Sequence, residues 1–131
     1  MQDRVYDGTT TATFSTAPTF TIGNTANGDV VTLPGTIVGN FADKNVGVSK
    51  VASLSGLSVN STHSGVANNG DYVLPALPTY TGSITSKPLT ISAVADTSKT
   101  YDGTVLSNST PSVGALASGD SLAIVTQVFA D

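Results

Sequence analysis

The sequence predicts an all-β protein, and this prediction rests on its composition and on the spacing of its Gly and Pro residues. The β-branched residues Val, Ile and Thr number 40 of 131, whereas Glu is absent and Met occurs once; this composition favours strands over helices. Thirteen Gly and six Pro residues divide the apolar residues into short stretches, and no stretch keeps a helical period. Many short strands with frequent turns favour an Ig-like antiparallel β-sandwich.

The first half of the chain contains several strand signals between turn formers. Apolar residues in 46–59 change phase near Lys50, which a bulge or a break at Gly56 would explain. Pro34-Gly35 suits a type II turn, because Pro presets the second turn position and Gly tolerates the third. The remaining strands are predicted at 9–14, 19–22, 30–33 and 36–41.

In the second half, 60–70 is predicted as a polar loop and 72–74 as a short strand, with Pro75 and Pro78 then preventing regular pairing. Apolar or small residues alternate with Thr and Ser over 79–84, which predicts a strand with one buried face. The inward residues of this strand and of the next two predicted strands are Tyr80, Gly82 and Ile84; Leu89, Ile91 and Ala93; and Leu122, Ile124 and Val128.

Charge and cysteine content exclude several classes of protein. The net charge is −4 with five Lys and Arg residues, which is not the basic footprint that nucleic acid binding needs. No apolar run approaches the ~18 residues of a membrane span, and no leader-like segment opens the chain. Without Cys there is no disulfide, thiolate metal site or Cys nucleophile.

The order of residues contains an internal repeat. The hexapeptide Arg4–Thr9 (RVYDGT) returns 95 residues later as Lys99–Thr104 (KTYDGT). Two further matches follow in the same order, which makes chance unlikely and indicates tandem modules. They are the pairs Gly28-Asp29 and Gly119-Asp120, and Phe41-Ala42-Asp43 and Phe129-Ala130-Asp131.

These motifs resemble the YDG domain family, whose members occur in tandem within large, secreted, filamentous-haemagglutinin-like adhesins of Gram-negative bacteria. The resemblance covers essentially the whole chain. In the family, a strand like Lys87–Thr90 opens each unit. The resemblance therefore implies a first module at 1–87 that lacks its opening strand, and the opening part of a second at 88–131. The segments that carry it are Arg4–Thr10, Phe41–Gly47, Asn68–Leu74, Ile84–Ser92 and Lys99–Thr104.

The motif residues are interpreted as structural rather than as ligand contacts. Tyr buries its ring and hydrogen-bonds through its hydroxyl, while Asp and Gly form a turn. A motif shared by successive modules is more easily explained by fold than by ligand. The structural residues are Tyr6, Asp7, Gly8, Phe41, Asp43, Asn45, Gly47, Tyr101, Asp102 and Gly103.

No catalytic residue is predicted. His63 is the single His and lies among Ser, Thr, Asn and Gly without a G-x-S-x-G elbow, so it is interpreted as a solvated loop residue and the chain as no enzyme. Lys44 beside Asp43 suggests an internal amide cross-link, but neighbouring strand residues face opposite sides.

No cofactor is predicted apart from a possible calcium ion. Clustered oxygens could complete a calcium shell between modules, although neither cluster has the spacing of an established calcium loop. The two clusters are Asn24, Asn27 and Asp29, and Asn68, Asn69 and Asp71.

The expected function is a structural stalk module of a secreted bacterial surface adhesin, which extends a binding tip from the cell and supports adhesion or biofilm. Its expected partners are neighbouring modules of the same polypeptide. A glycan- or matrix-binding module, with Tyr80, Pro75 and Pro78 as a stacking platform, is the first alternative. The second is self-association through exposed strand edges, with 89–94 donated to another copy.

Overall fold

The computed structural model describes residues 1–68, 70–96 and 98–129. The described residues form ten strands and no helix, which confirms the all-β prediction. They accordingly include no helix long and apolar enough to cross a membrane. The strands are β1 (Arg4–Val5), β2 (Thr11–Ala12), β3 (Asp29–Thr32), β4 (Gly35–Phe41), β5 (Gly47–Leu57), β6 (Asn60–His63), β7 (Val66–Ala67), β8 (Tyr80–Thr85), β9 (Ile91–Ser92) and β10 (Ser112–Val113).

The chain divides into two compact units, Met1–Thr85 (unit 1) and Ser86–Asp131 (unit 2). Unit 1 contains a five-stranded sheet in the order β1-β8-β5-β4-β2 and a three-stranded sheet in the order β3-β6-β7. The expectation of a purely antiparallel arrangement is wrong for β1 and β8, which run parallel. Parallel pairing is possible because these strands lie far apart in the sequence and need no hairpin between them.

The core of unit 1 lies on one face of the five-stranded sheet. Its buried residues come from β2, β4, β5 and β8, and Met1 and Tyr6 pack against them. The alternation predicted for β8 is confirmed, since Gly82 and Ile84 are buried while their neighbours are more exposed. The buried residues of this core cluster are Ala12, Phe41, Ala52 and Ile84.

The phase slip predicted in the long strand β5 is present. The register against β8 shifts between Gly47 and Lys50, where Ser49 has a φ of 50°. The strand also continues through Gly56, whose φ is 92°. Gly35, which pairs with Leu57, begins β4 with a φ of 122°. It does not end a turn between paired strands, because β3 and β4 belong to different sheets.

Four other element assignments in unit 1 need correction. The predicted polar loop at 60–70 contains the hairpin β6-β7, in which the buried Ser61 hydroxyl donates to the Asn68 carbonyl at 2.9 Å and so satisfies a polar group that the pattern placed in solvent. The predicted strand at 72–74 does not form, and the Tyr72 hydroxyl instead donates to Asp29 Oδ2. Strand pairing is confined to Thr11–Ala12 within 9–14 and is absent from 19–22.

In unit 2, β9 pairs antiparallel with β10. Within the segment 89–94, only Ile91 and Ser92 have a ladder partner in the described part of unit 2. The predicted burial of Leu89, Ile91 and Ala93 is wrong, since all three are exposed. The predicted last strand is reduced to one bridge between Leu106 and Val128. The described residues of unit 2 form no further strand that could cover 89–93 or the predicted last strand. The predictions also included Thr97, Ala130 and Asp131, which lie outside the described residues.

Candidate functional site

The first Tyr-Asp-Gly motif is a turn closed by its own polar groups. Asp7 Oδ1 accepts hydrogen bonds from the Thr9 backbone N–H and hydroxyl, both at 2.8 Å. The Arg4 guanidinium pairs with the same carboxylate. Gly8 has a φ of 84°, a conformation that glycine adopts without steric cost. The carboxylate is thus occupied by groups within six residues of sequence.

The second motif repeats this geometry in unit 2. Asp102 Oδ1 accepts from the Thr104 backbone N–H and hydroxyl, both at 2.9 Å. Lys99 takes the place of the arginine, with Nζ 2.8 Å from Asp102 Oδ1 and 3.0 Å from the Thr104 carbonyl. Gly103 has a φ of 76°. Both motifs therefore place a cation, an aspartate, a left-handed glycine and a threonine in the same roles.

The chain after each motif also pairs in the same way. The Phe41 N–H donates to the Thr10 carbonyl at 2.8 Å, next to the antiparallel pairing of β2 and β4. In unit 2 the Phe129 N–H donates to the Val105 carbonyl at 2.8 Å. Thr10 and Val105 stand at the same distance from their motifs, so the two hydrogen bonds are equivalent. The neighbouring bridges correspond too, joining Thr11 to Asn40 and Leu106 to Val128.

A third equivalence is the turn before each Gly-Asp pair. The Asp29 N–H donates to the Ala26 carbonyl at 3.0 Å, and the intervening Gly28 has a φ of 88°. The Asp120 N–H donates to the Ala117 carbonyl at 3.2 Å, within a turn of the same length. Both turns end in a Gly-Asp step because only glycine tolerates the left-handed position readily.

The remaining motif residues cluster at the β4-β5 connection. Asp43 Oδ1 accepts from the Asn45 N–H at 2.8 Å and from Lys50 Nζ at 2.7 Å, and the Lys50 hydrogen bond, followed by that from Asn45, lowers the pKa of the Asp43 carboxyl. Lys50 thus contacts Asp43, and Lys44 Nζ lies 5.9 Å from the centroid of the Tyr6 ring. Gly47 begins β5 beside the aliphatic part of Lys50.

Replacing Asp7 by Asn is expected to flatten the acid sensitivity of unit 1. The Thr9 N–H, assisted by Arg4, lowers the pKa of the Asp7 carboxyl to about 2, compared with ~3.9 for an unfolded aspartate. Its contribution to stability is therefore complete above pH ~4 and is lost as the pH falls from ~4 towards 2. Urea unfolding of the wild type and of Asp7→Asn at pH values between 4 and 2 checks this prediction. The difference between their free energies of unfolding should be modest, because the Asp7 carboxylate is half exposed. An unchanged acid slope would contradict it.

A network that the sequence did not reveal joins Asp29, His63 and Tyr72. His63 Nδ1 lies 2.6 Å from Asp29 Oδ1, and the Tyr72 hydroxyl donates to Asp29 Oδ2 at 2.7 Å. The Tyr72 oxygen also accepts from the Ala26 N–H at 2.7 Å. The Tyr72 hydrogen bond, and then that of His63, lowers the pKa of the Asp29 carboxyl. His63 is exposed as predicted, but it belongs to β6 and is paired with Asp29 across the ladder.

Tyr72 also forms part of an apolar cleft in unit 1. The cleft has a volume of about 300 Å³ and is walled by the segments 20–25 and 72–78 over β3. Pro75 and Pro78 line this cleft, whereas Tyr80 does not, because the Tyr80 ring packs edge-on against Phe14 with centroids 5.8 Å apart. The apolar part of the lining includes Ile22, Val31, Leu33, Val59, Leu74 and Leu77.

Tyr72→Phe is expected to loosen the wall of this cleft. The substitution keeps the ring but removes the hydroxyl that binds both Asp29 and the Ala26 N–H, and unpaired partly buried groups are costly. Hydrogen exchange of the Ala26 amide should accelerate, while exchange in the β4-β5 ladder should stay unchanged. Equal acceleration in both places would indicate general destabilisation and would contradict a local role.

Both aspartates of the predicted calcium clusters have hydrogen-bond partners. Asp29 is engaged by His63 and Tyr72, and Asn68 Nδ2 donates to Asp71 Oδ2 at 2.8 Å. Asn69 lies outside the described residues. Among the residues that the structure describes, no three His or Asp side chains converge on a common point that could hold a metal ion.

The comparisons with known proteins agree with the repeated motifs. Neither a curated protein nor a solved structure gives a significant match to the chain. A family model described as the YDG domain matches twice, over residues 1–81 and 85–131. These segments leave only three residues between them, so the match extends over far more than half of the chain. The chain belongs to the YDG domain family.

Proposed function

We propose that this chain is a structural repeat module of a secreted bacterial surface adhesin, one link of a stalk that extends a binding tip and supports adhesion or biofilm. The observation that carries the proposal is that the residues shared by both units form and stabilise turns. Asp7 and Asp102 bind their own Thr and cation. Repetition of a motif that maintains a fold suits a spacer made of tandem modules.

The chain's composition and fold are consistent with this role. The two sheets of unit 1 suit an Ig-like sandwich. Compact sandwich modules joined end to end form a long stalk without many charged residues and without a cofactor. The adhesin context and the extracellular location come from the family resemblance. The proposal includes no enzymatic activity, no membrane insertion and no nucleic acid partner.

A domain-replacement experiment in the source bacterium tests the stalk role. In-frame deletion of the segment that encodes this chain should reduce adhesion while an antiserum against another part of the adhesin still labels intact cells. Insertion of an unrelated β-sandwich module of similar length should restore adhesion, because a spacer supplies only distance. Failure of the replacement to restore adhesion, with surface labelling intact, would overturn the proposal.

A glycan- or matrix-binding module is the second candidate, and the apolar cleft beside Tyr72 is the observation that favours it. A cleft of about 300 Å³ is of the size that small ligands occupy. Screening the purified chain on glycan and matrix arrays tests this. Binding that Leu77→Asp abolishes and the exposed-site control Val48→Asp retains would support the candidate; absence of saturable binding would overturn it.

A further inference from the structure

Unit 2 has an open face where unit 1 has a core. A hollow of about 240 Å³ is lined by Lys99, Tyr101, Thr104 and Phe129. Tyr101 is 93% exposed, and Ile124, in the segment leading to Phe129, is 94% exposed. Exposed apolar surface of this kind, bordered by the polar groups of the Tyr-Asp-Gly turn, is typical of an interaction surface.

The residues that line this hollow are the counterparts of four residues in unit 1. Their equivalence follows from the repeated turn and from the repeated hydrogen bond of the phenylalanine N–H. The unit 1 counterparts are Arg4, Tyr6, Thr9 and Phe41. In unit 1 this place is filled rather than hollow: Phe41 is 2% exposed, Tyr6 packs on the core, and Ala52 and Ile84 complete the cluster.

In unit 1, strands β5 and β8 pair with the backbone on both sides of the core that these residues form. In unit 1, Arg4–Val5 pairs in parallel with Ile84 and Thr85 of β8, and the Tyr6 N–H donates to the Thr85 carbonyl at 2.8 Å. On the other side Phe41 pairs with Ala52 of β5. Strands β5 and β8 also pair with each other, so together they bridge the two edges.

In unit 2 the corresponding edges are 99–100 and Phe129. Neither has a strand partner of this kind within the described ranges 86–96 and 98–129. Two strand edges, one on each side of a hollow, therefore face the position that β5 and β8 fill in unit 1.

We infer that the open face of unit 2 receives a further strand pair of the β5–β8 type, entering after Phe129 as β5 follows Phe41. A side chain equivalent to Ile84 fills the hollow against Tyr101 and Phe129. The partner is thus an additional YDG-type segment with an alternating, small-and-aliphatic strand like Tyr80–Thr85. Unit 2 needs this cover whether or not the protein serves as a stalk.

A second copy of this chain is a poor source of the cover. Each copy contains one β5–β8 pair, Gly47–Thr85, which already completes its own unit 1. Transfer of that pair to unit 2 of another copy would open unit 1 of the donor, so the number of completed units would not rise. The intramolecular arrangement also has the advantage of effective concentration.

Fusing a copy of residues 44–88 after Asp131, the counterpart of Asp43, tests the inference. Hydrogen exchange followed by mass spectrometry should show peptides from 99–106 and 122–129 at least about tenfold more protected than in the unextended chain. The matched control is the same fusion carrying Ile84→Asp in the appended copy alone. It should leave those peptides unprotected, because a carboxylate cannot fill an apolar hollow without a partner.

Two results would overturn the inference. The first is a fusion whose 99–106 and 122–129 peptides exchange as fast as those of the unextended chain, while its unit 1 peptides remain protected. The second is the unextended chain forming dimers as its concentration rises, with protection appearing at 99–106, since this would assign the cover to a second copy. Both results leave the stalk role open, because the domain-replacement experiment measures adhesion and not the folding of unit 2.

Discussion

Ile84→Ala is expected to destabilise unit 1 by about 2–5 kcal/mol, which is the range for removing a large aliphatic side chain from a core. Ile84 is 1% exposed and is the largest fully buried side chain among the described residues. It belongs to a cluster whose other buried members are two alanines and Phe41. Few neighbouring side chains are large enough to collapse into the cavity, so the upper part of that range is expected.

The effect is large relative to what a small domain can lose, since total stabilities are about 5–15 kcal/mol. Urea unfolding followed by far-ultraviolet circular dichroism measures the change. Ile84→Val, which removes one methylene group, should cost about 0.5–1.5 kcal/mol and keeps the test informative if the alanine variant fails to fold. The control Val48→Ala, at a position 85% exposed, should stay within about 0.5 kcal/mol. Equal effects at Ile84 and Val48 would contradict the core assignment.

The strand pattern of β8 could be predicted from the sequence because its burial is set within the strand itself. Alternation over Tyr80–Thr85 is enough to place Gly82 and Ile84 on one face. The Tyr-Asp-Gly turns are local in the same sense, since Asp7 binds a residue two positions away. Predictions of this kind require only short stretches of sequence, and the structure agrees with them.

Predictions failed where distant residues decide the outcome. The polar segment 60–70 forms a hairpin because β3 pairs with β6, and Ser61 finds a carbonyl seven residues away. The network of Asp29 with His63 and Tyr72 spans separations of 34 and 43 residues. No local pattern marks such pairs. In unit 2 the alternation at Leu89–Ala93 is present in the sequence, but the exposed residues show that alternation alone does not supply a covering neighbour.

Gly56→Ala should destabilise unit 1 by about 3 kcal/mol or more, because two separate costs act at one position. A Cβ at Gly56 would stand 2.0 Å from the Thr36 carbonyl oxygen, which is backbone and cannot swing aside. Its φ of 92° is also unfavourable for a residue with a side chain. The facing Gly35 has the same problem, since its Cβ would stand 2.0 Å from the Gly56 carbonyl oxygen. The two strands therefore approach each other at a point where neither tolerates a side chain.

Two other glycines of unit 1 separate these costs. Gly65 has a φ of 80° with nothing within 4 Å of its Cβ position, so Gly65→Ala should cost only the conformational penalty of about 1–2 kcal/mol. Gly23 has the same open space without the positive φ, so Gly23→Ala should be neutral or slightly stabilising. Urea unfolding of the three variants should rank the losses as Gly56, then Gly65, then Gly23. If Gly56→Ala lost no more stability than Gly65→Ala, the close approach of β4 and β5 would be disproved, and the loss at Gly56 would then come from backbone conformation alone.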